Sequence, residues 1–334
     1  MTSSVPASLE MNVTQNSDSR LSVVIPSYNC EATICVTLDS LAAQRRPADE
    51  IIIVDDHSDI PVRDIVQDRY PGIRILRHDV NRGVQNARNT GFREVTGDYV
   101  LFLDADDILC PEFLDTAYLA LTAHPAAGAC FAGFYKCFDG EAAPILAAHM
   151  EKTVDPRVLP KGEGLTFYLN NTGAFIPSFS ILRKTALDDL VSHDELYSTH
   201  LAANEDFHLF SRMLAKNEAL HMEAPMGVYF LRPDSLSRNQ LKMWLSREAA
   251  VSSLLGMADQ LSLSAYHRAF LEKMRASAVR QYARLLDNNG ERGRSAKCLW
   301  GELRRAPSVK TFALLALTLC GLQKKKIKYG GLEY

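Results

Sequence analysis

Short runs of apolar, mostly β-branched residues alternate with amphipathic segments through the first third of the chain. The apolar runs predict buried strands, and they cover residues 21–26, 50–54, 73–76 and 98–103. Between them, apolar side chains recur every three or four residues, which is the period of a helix with one buried face. Continuous apolar strands separated by helices are typical of an α/β fold whose parallel sheet is covered on both faces.

The rest of the chain follows a less regular pattern. Apolar residues at 129–138 and 175–182 predict further strands, and a helical period covers 205–214. Beyond Asn239 the helical period continues, in four segments, almost to the end of the chain. We therefore expect a mostly parallel, doubly wound sheet flanked by helices, with a C-terminal helical extension.

Polar side chains follow three of the predicted strands at the points where the strands end. They are Tyr28 and Asn29 after the first strand, Asp55 and Asp56 after the second, and Asp104 and Asp106 after the fourth. Because the carboxyl ends of parallel strands meet at one edge of a sheet, these groups should lie close together where α/β folds bind ligands.

The segment Asp104-Ala105-Asp106-Asp107 carries the most specific chemistry. Two carboxylates one residue apart can face a common point, and such oxygen ligands in an open site suit Mg²⁺ or Mn²⁺ bound to substrate phosphates. The alternative is an acidic turn that caps the next helix. Asp55 and Asp56 are open to the same two interpretations, as hydrogen-bond acceptors for a nucleoside or as turn residues.

Two further polar segments are open to more than one interpretation. Arg82 or Arg88 could bind phosphate through its guanidinium group, although for Arg88 alone a solvated helix face is favoured. Asn204-Glu205-Asp206 stands at a predicted helix start. Its carboxylates could cap that helix, or one of them could act as a general base.

Composition excludes several classes of protein. The chain of 334 residues is 47% hydrophobic and 23% charged, as in ordinary globular proteins. Its net charge of -3 gives no basic signature for a nucleic-acid partner. Seven cysteines without a CxxC pair, and a polar N-terminal segment, favour a reducing compartment and a cytoplasmic location.

The charge is unevenly distributed along the chain. Residues 291–334 contain ten Lys and Arg against three Glu, whereas the remainder is acidic. An apolar run over 311–322 is too short to span a bilayer and precedes a lysine cluster at 324–328. This C-terminal tail could contact the inner face of a membrane as a peripheral element. It could equally pack on the α/β domain or on a second copy in a homodimer.

The order and spacing of these motifs resemble those of the family 2 glycosyltransferases of GT-A fold. The segments that carry the resemblance are 21–29, 53–58, 81–89 and 97–107, with weaker likeness at 204–207 and 229–237. The resemblance implies an inverting transferase of the hexosyltransferase type. The enzyme would move a sugar from a UDP-sugar to a glycan or lipid-linked acceptor, in surface or exopolysaccharide assembly. A divalent metal, Mn²⁺ or Mg²⁺, would be its cofactor.

The patterns and the resemblance together predict a domain division. Residues 1–20, rich in Ser, Thr and Asn, would form a flexible tail. The resemblance implies that 21–125 form the nucleotide-sugar-binding half of the GT-A domain and 126–240 the acceptor-binding half. It does not cover the chain after about Asn239, where the helical period predicts an extension with a basic tail over 241–334.

By the same resemblance, the residues after the first strands would bind the donor nucleotide. Pro26 and Tyr28 would line the nucleobase pocket, with the Tyr28 ring against uracil. Asp56 would bind the base with Asp55 beside it, and Arg82 would approach the base or the diphosphate.

The remaining roles concern the sugar and its transfer. Asp104 would face the donor ribose or sugar and, with Asp106, bind the metal, while Asp206 would deprotonate the acceptor hydroxyl. Many relatives carry a His near the place of Arg232. Because Arg cannot ligate a metal but can bind phosphate, Arg232 would instead stabilise the departing diphosphate.

Two other functions fit parts of the pattern. A nucleotidyltransferase that makes nucleotide-sugars also uses carboxylate-held Mg²⁺. Such enzymes usually have a Gly-rich, basic loop after the first strand, where this chain reads Pro-Ser-Tyr-Asn over 26–29. A non-catalytic nucleotide-sugar binder should lack part of the carboxylate set, whereas Asp56, Asp104, Asp106 and Asp206 are all present.

Overall fold

The computed structural model describes residues 19–137, 155–231 and 239–322, together with two short strands near the C-terminus. Its strands are β1 (Leu21–Ser27), β2 (Glu50–Asp55), β3 (Arg74–Arg77), β4 (Tyr99–Phe102), β5 (Ile108–Leu109), β6 (Ala127–Cys137), β7 (Arg157–Leu159), β8 (Ser180–Arg183), β9 (Glu218–Phe230), β10 (Lys328–Tyr329) and β11 (Leu332–Glu333). Strands β1 to β9 form one sheet, and β10 pairs with β11.

The sheet has the order β3-β2-β1-β4-β8-β6-β9-β5, with β7 also paired to β9. Strands β3, β2, β1 and β4 are parallel neighbours, as the alternation of strands and helices predicts. Strand β8 runs antiparallel to both β4 and β6, and β9 is antiparallel to β5 and β7. Strands β6 and β9 form a further parallel pair. In the described part of the chain, six of the nine strands of this sheet therefore run in one direction, and β5, β7 and β8 run against them.

Helices connect and cover the strands. They are α1 (Ile34–Ala42), α2 (Val62–Val66), α3 (Val84–Arg93), α4 (Phe113–Ala123), α5 (Glu163–Asn170), α6 (Lys184–Asp188), α7 (Glu205–Lys216), α8 (Gln240–Gly256), α9 (Ala265–Asn288), α10 (Arg292–Arg305) and α11 (Val309–Cys320). None of the helices in the described ranges is long and apolar enough to cross a membrane.

Alternate residues of the central strands face two separate cores. In β1, Val23 and Ile25 pack with α1, α2 and α4, while Val24 packs on the opposite side with α3, α5, α7 and α8. This is the period-two alternation of a strand whose two faces are both covered. The expected α/β fold with helices on both faces of the sheet is confirmed.

Helix α3 lies unusually close to the sheet, and the reason is Gly91. A side-chain carbon at this position would lie 2.3 Å from Cγ1 of Val24 and 3.3 Å from Cγ2 of Val54. Any larger residue would push the helix away from β1 and β2. The close approach matters because α3 carries several of the polar side chains described below.

The C-terminal helices are only partly separate from the α/β core. Ala250 and Leu254 of α8 and Leu271 of α9 belong to the same apolar cluster as the sheet. Helices α9, α10 and α11 add a small core of their own. The domain boundaries stay predictions, although this packing ties α8 and α9 to the sheet.

A buried ion pair joins α9 to α10. The guanidinium of Arg275 lies 2.6 Å from Oε2 of Glu302, and both side chains are almost completely buried. Arg275 also contacts Glu272, whose side chain is 48% exposed. The two carboxylates thus share one arginine but differ in their access to water.

We expect Glu302→Gln to lower the free energy of unfolding by about 3 kcal/mol, since it leaves a buried guanidinium undercompensated. Glu272→Gln is the matched control, and it should cost less than about 1 kcal/mol because water screens that pair. Urea denaturation followed by circular dichroism measures both. Equal losses of unfolding free energy in the two variants would show that the buried Arg275–Glu302 pair is no more important for stability than the exposed Arg275–Glu272 pair.

Candidate functional site

The carboxyl ends of β1, β2 and β4 lie side by side at one edge of the sheet. Pro26 is buried within β1, and Tyr28, the first residue beyond it, is 51% exposed. The turn is held by Asn29, which has a left-handed φ of 46° and receives a hydrogen bond from the amide of Asp59. Its own amide donates to the hydroxyl of Ser58 at 3.0 Å. The loops after β1 and β2 are therefore tied together, and the Tyr28 ring is left accessible.

Asp55 is buried at the end of β2, where it organises the following turn. Its carboxylate accepts hydrogen bonds from the amides of Ser58 at 2.9 Å and Val62 at 3.2 Å, and it also pairs with Arg77. Burial alone would raise the pKa of Asp55, but these hydrogen bonds outweigh it and lower the pKa. These contacts stabilise the turn before α2 and the start of that helix. A direct role of Asp55 at the nucleobase stays a prediction.

Asp56 is also buried, and its carboxylate holds the segment that leads into α3. It accepts hydrogen bonds from the backbone amides of Arg82 at 2.9 Å and Gly83 at 2.7 Å. His78 contacts the same carboxylate through Nδ1 at 2.7 Å. The Arg82 side chain, by contrast, is exposed. Asp56 thus fixes the loop from which Arg82 extends, and His78 is a supporting residue that the sequence did not single out.

The acidic segment after β4 crowds three carboxyl groups together. Asp104 and Asp106 are partly exposed, whereas Asp107 is buried. Burial, reinforced by repulsion from Asp104 and Asp106, raises the pKa of Asp107 well above its usual range. The amide of Asp104 donates to the hydroxyl of Ser178 at 3.1 Å, which anchors the turn.

This arrangement fits a divalent cation. Two partly exposed carboxylates at a strand end offer hard oxygen ligands, and the concentration of negative charge there favours a bound cation. Within the part of the chain that the structure describes, no cluster of three or more His, Cys, Asp or Glu residues is arranged to hold a metal. At this edge, Asp104 and Asp106 are the two partly exposed carboxylates that could contribute to holding one.

Arg88 of α3 is the buried centre of the site. Its guanidinium donates to Oδ1 of Asp104 at 2.7 Å and to Oε1 of Glu205 at 2.8 Å, and it faces the Tyr197 ring at 5.2 Å. Burial alone would lower the pKa of Arg88, but the neighbouring carboxylates raise it, so the side chain stays charged. The expected solvated helix face for Arg88 is wrong, because α3 turns this residue toward the second half of the chain.

Two other polar residues of α3 share this buried side. The amide group of Gln85 donates to the carbonyl of Leu201 at 2.7 Å. Asn89 donates to the carbonyl of Tyr197 at 2.8 Å and accepts from the amide of the same residue at 2.8 Å. This polar stripe was not predicted from the sequence. Its signal was the spacing of 85, 88 and 89, which places all three on one helical face.

Glu205 and Asp206 begin α7, the helix that Arg88 reaches. Glu205 is mostly buried against Arg88, while Asp206 is partly exposed and accepts a hydrogen bond from the amide of Phe207 at 2.6 Å. The helix start is set by Asn204, which has a left-handed φ of 58° and donates to the carbonyl of Met243 at 3.0 Å. The two adjacent carboxylates thus differ in their partners: Glu205 is paired with Arg88, whereas Asp206 accepts from a backbone amide.

The structure links four of the candidate residues, Asp56, Arg88, Asp104 and Glu205, through α3. Asp56 holds the start of α3, and Arg88 of the same helix joins Asp104 to the beginning of α7. Arg232 lies outside the described residues, so its proposed contact with a diphosphate stays a prediction.

We expect Arg88→Gln to lower the free energy of unfolding by about 3 kcal/mol, since Asp104 and Glu205 would lose their shared buried cation. Arg93→Gln, on the exposed side of the same helix, should change it by less than about 1 kcal/mol. Urea denaturation monitored by fluorescence compares the two. A similar small change in both variants would show that Arg88 does not hold the two halves together.

Comparison with solved structures shows the fold. S. aureus TarS (residues 1–349), solved in complex with UDP-GlcNAc, aligns with a TM-score of 0.60 at 17% identity, covering 94% of this chain and 95% of that one. A mannosyltransferase from Pyrobaculum calidifontis, solved with GDP-Man and Mn²⁺, aligns with a TM-score of 0.53 at 18% identity, covering 92% and 81%. The expected GT-A fold is confirmed.

The sequence comparisons each cover part of the chain. The amylovoran biosynthesis glycosyltransferase AmsB of Erwinia amylovora is 42% identical over 95 residues, which cover 27% of this chain and 32% of that protein. The E. coli UDP-Glc:alpha-D-GlcNAc-diphosphoundecaprenol beta-1,3-glucosyltransferase WfgD is 33% identical over 92 residues, covering 27% and 36%. The matched segments thus span about a third of these relatives. A family model described as glycosyl transferase family 2 matches residues 22–191, just over half of the chain, and the chain therefore belongs to that family.

Proposed function

We propose that the protein is an inverting hexosyltransferase that moves a sugar from a UDP-sugar to a hydroxyl group of a glycan or lipid-linked acceptor. The observation that carries the proposal is the contact of Arg88 with both Asp104 and Glu205. This contact couples the acidic segment expected to bind the donor to the helix that carries the expected base. Family membership and the fold shared with a UDP-GlcNAc-bound transferase support it.

The donor nucleotide would bind over the loops after β1 and β2. The exposed ring of Tyr28 offers a stacking surface for the uracil ring, next to the buried Pro26. Asp56 sets the position of the loop that bears Arg82, whose exposed guanidinium can reach a base or a phosphate. Asp55 would support the same surface indirectly, because its carboxylate accepts hydrogen bonds from the amides of Ser58 and Val62 after β2.

Asp104 and Asp106 would hold Mn²⁺ or Mg²⁺ at the end of β4. When bound, such an ion offsets negative charge on the departing diphosphate. The Mn²⁺ in the Pyrobaculum calidifontis mannosyltransferase structure supports the use of a divalent metal. Arg88 keeps Asp104 in place by binding one of its carboxylate oxygens, so the other oxygen is left for the ion or the donor. Arg232 would place a positive charge next to the departing diphosphate.

Asp206 would accept the proton of the acceptor hydroxyl. Its neighbour Glu205 is a weaker candidate, because its carboxylate is engaged with the charged Arg88. Inversion requires the base, the acceptor oxygen and the anomeric carbon to align on the face opposite the diphosphate. Arg88 contacts both Asp104, on the proposed donor side, and Glu205, at the start of α7. These contacts keep the start of α7 close to the donor site, which favours this alignment.

The acceptor and the setting are proposed from the relatives. AmsB is named for amylovoran biosynthesis, and WfgD for a glucosyl transfer to a diphosphoundecaprenol-linked sugar. We place the present chain in polysaccharide assembly by the same analogy. A lipid-linked acceptor would require the enzyme to work on the cytoplasmic face of a membrane. The homodimer expected from the C-terminal region stays a prediction.

The other candidate functions have less support. Membership in glycosyl transferase family 2 argues against a nucleotidyltransferase. A non-catalytic binder would bind a nucleotide-sugar without turnover. A panel of nucleotide-sugars, tested with Mn²⁺ for thermal stabilisation and for slow release of the free nucleotide, separates these functions. Stabilisation by UDP-sugars without any UDP release would contradict the proposed catalysis.

We expect Asp106→Ala to weaken UDP binding in the presence of Mn²⁺ by about tenfold or more, because a metal ligand is lost. The same variant should bind UDP without metal as the unchanged protein does. Isothermal titration calorimetry with and without Mn²⁺ measures both affinities. Asp68→Ala, an exposed aspartate away from the sheet edge, is the control. An unaltered Mn²⁺ effect in Asp106→Ala would remove this residue from the metal site.

We expect Asp206→Asn to retain UDP-sugar affinity while reducing acceptor-dependent turnover by about 10²-fold or more, as for the loss of a general base. Coupled detection of released UDP gives the rate, and calorimetry gives the affinity. Asp189→Asn, an exposed residue before α7, serves as the control. Turnover near that of the control would mean that another group takes the proton.

A further inference from the structure

Helix α11 exposes its more apolar side to solvent. Its buried side consists of two threonines and two leucines, Thr311, Leu314, Leu315 and Thr318. The opposite side carries Val309, Phe312 and Leu319, which are 84%, 65% and 66% exposed. Ala313, Ala316 and Cys320 lie between them and are also exposed. This is the reverse of the usual arrangement, in which the apolar side of a surface helix faces the core.

Specific polar contacts hold the helix in this orientation. The hydroxyl of Ser308 caps the helix by accepting a hydrogen bond from the amide of Thr311 at 3.2 Å. The Thr311 hydroxyl accepts hydrogen bonds from Ser308 at 2.8 Å and from Arg280 of α9 at 3.3 Å. Leu314 and Leu315 complete the orientation by packing against Leu299 of α10. Phe312 and Leu319 are therefore exposed because these contacts hold the opposite side of α11 against α9 and α10.

The neighbouring helix α10 presents a basic surface. Lys297, Arg304 and Arg305 are exposed, together with Trp300, whose side chain is 58% exposed. The sole acidic residue in the sequence between 292 and 322 is Glu302, and it is buried against Arg275. No exposed carboxylate on α10 or α11 therefore offsets the positive charge.

We propose that the exposed sides of α10 and α11 dock the protein onto an anionic lipid bilayer. Val309, Phe312 and Leu319 would enter the boundary between headgroups and acyl chains, as the apolar side of an interfacial helix does. Trp300 suits the headgroup level because its indole ring is both apolar and a hydrogen-bond donor. Lys297 and Arg304 would attract acidic headgroups.

The distribution of charge favours a bilayer over a second copy of the chain. Two copies that paired through α11 would also bring their basic α10 helices toward each other, and like charges across an interface are unfavourable. An anionic surface complements both features at once. In the sequence, lysines at 324, 325, 326 and 328 follow α11, so the segment after the helix is also positively charged.

Docking can be tested without any sugar donor, so its outcome is independent of the proposed transfer reaction. Flotation of the full chain is compared on vesicles of phosphatidylcholine alone and vesicles with about 30 mol % phosphatidylglycerol. We expect binding to the anionic vesicles at low salt and a large reduction at about 0.5 M salt. The double variant Phe312→Ser/Leu319→Ser should reduce the partition coefficient by about tenfold or more.

The matched control is Val36→Ser/Leu119→Ser, which alters two half-exposed apolar residues on α1 and α4 and should bind like the unchanged protein. Circular dichroism verifies that both double variants are folded. Three outcomes would overturn the proposal: equal binding to neutral and anionic vesicles, no binding to either, or normal binding by Phe312→Ser/Leu319→Ser. Conversion of a dimer to a monomer by that variant, with no change in flotation, would identify the surface as a contact between copies.

Discussion

The candidate site depends on one buried cation shared by two anions. Arg88 lies on α3, whereas its partners come from the end of β4 and the start of α7. Removing a guanidinium from water is costly, and the cost is offset only where carboxylates meet it with good geometry. Asp104 and Glu205 must therefore both stay in position while Arg88 is buried. The donor side and the acceptor side of the site are linked by this requirement.

The same helix carries the other contacts that shape the site. Asp56 binds two backbone amides of the segment that leads into α3. The buried face of the helix bonds to the segment before α7 through Gln85 and Asn89. Gly91 allows the helix to lie directly on β1 and β2. A shift of α3 would thus move the loop of Arg82, the carboxylate of Asp104 and the beginning of α7 together. We regard α3 as the element that aligns the proposed transfer reaction.

Adjacent carboxylates in this protein perform different tasks because their surroundings differ. Asp55 and Asp56 are both buried, and each holds a loop through backbone amides. Asp104 and Asp106 are accessible, whereas Asp107 beside them is buried. Glu205 is paired with a cation, whereas Asp206 accepts from a backbone amide. An acidic motif therefore indicates where a site lies, but burial and partners decide which oxygen can meet a ligand.

The sequence by itself determined the parallel part of the sheet and the edge at which the acidic residues collect. Both follow from local patterns, since continuous apolar runs mark buried strands and polar residues mark their ends. Strand β9 escaped prediction because Glu223 and Pro225 interrupt its apolar pattern, and its pairing with β6 is irregular there. The tertiary structure alone decided the reversal of β8 and the burial of Arg88. That residue is 16 positions from Asp104 and 117 from Glu205, and no local pattern records which distant carboxylates a cation will meet.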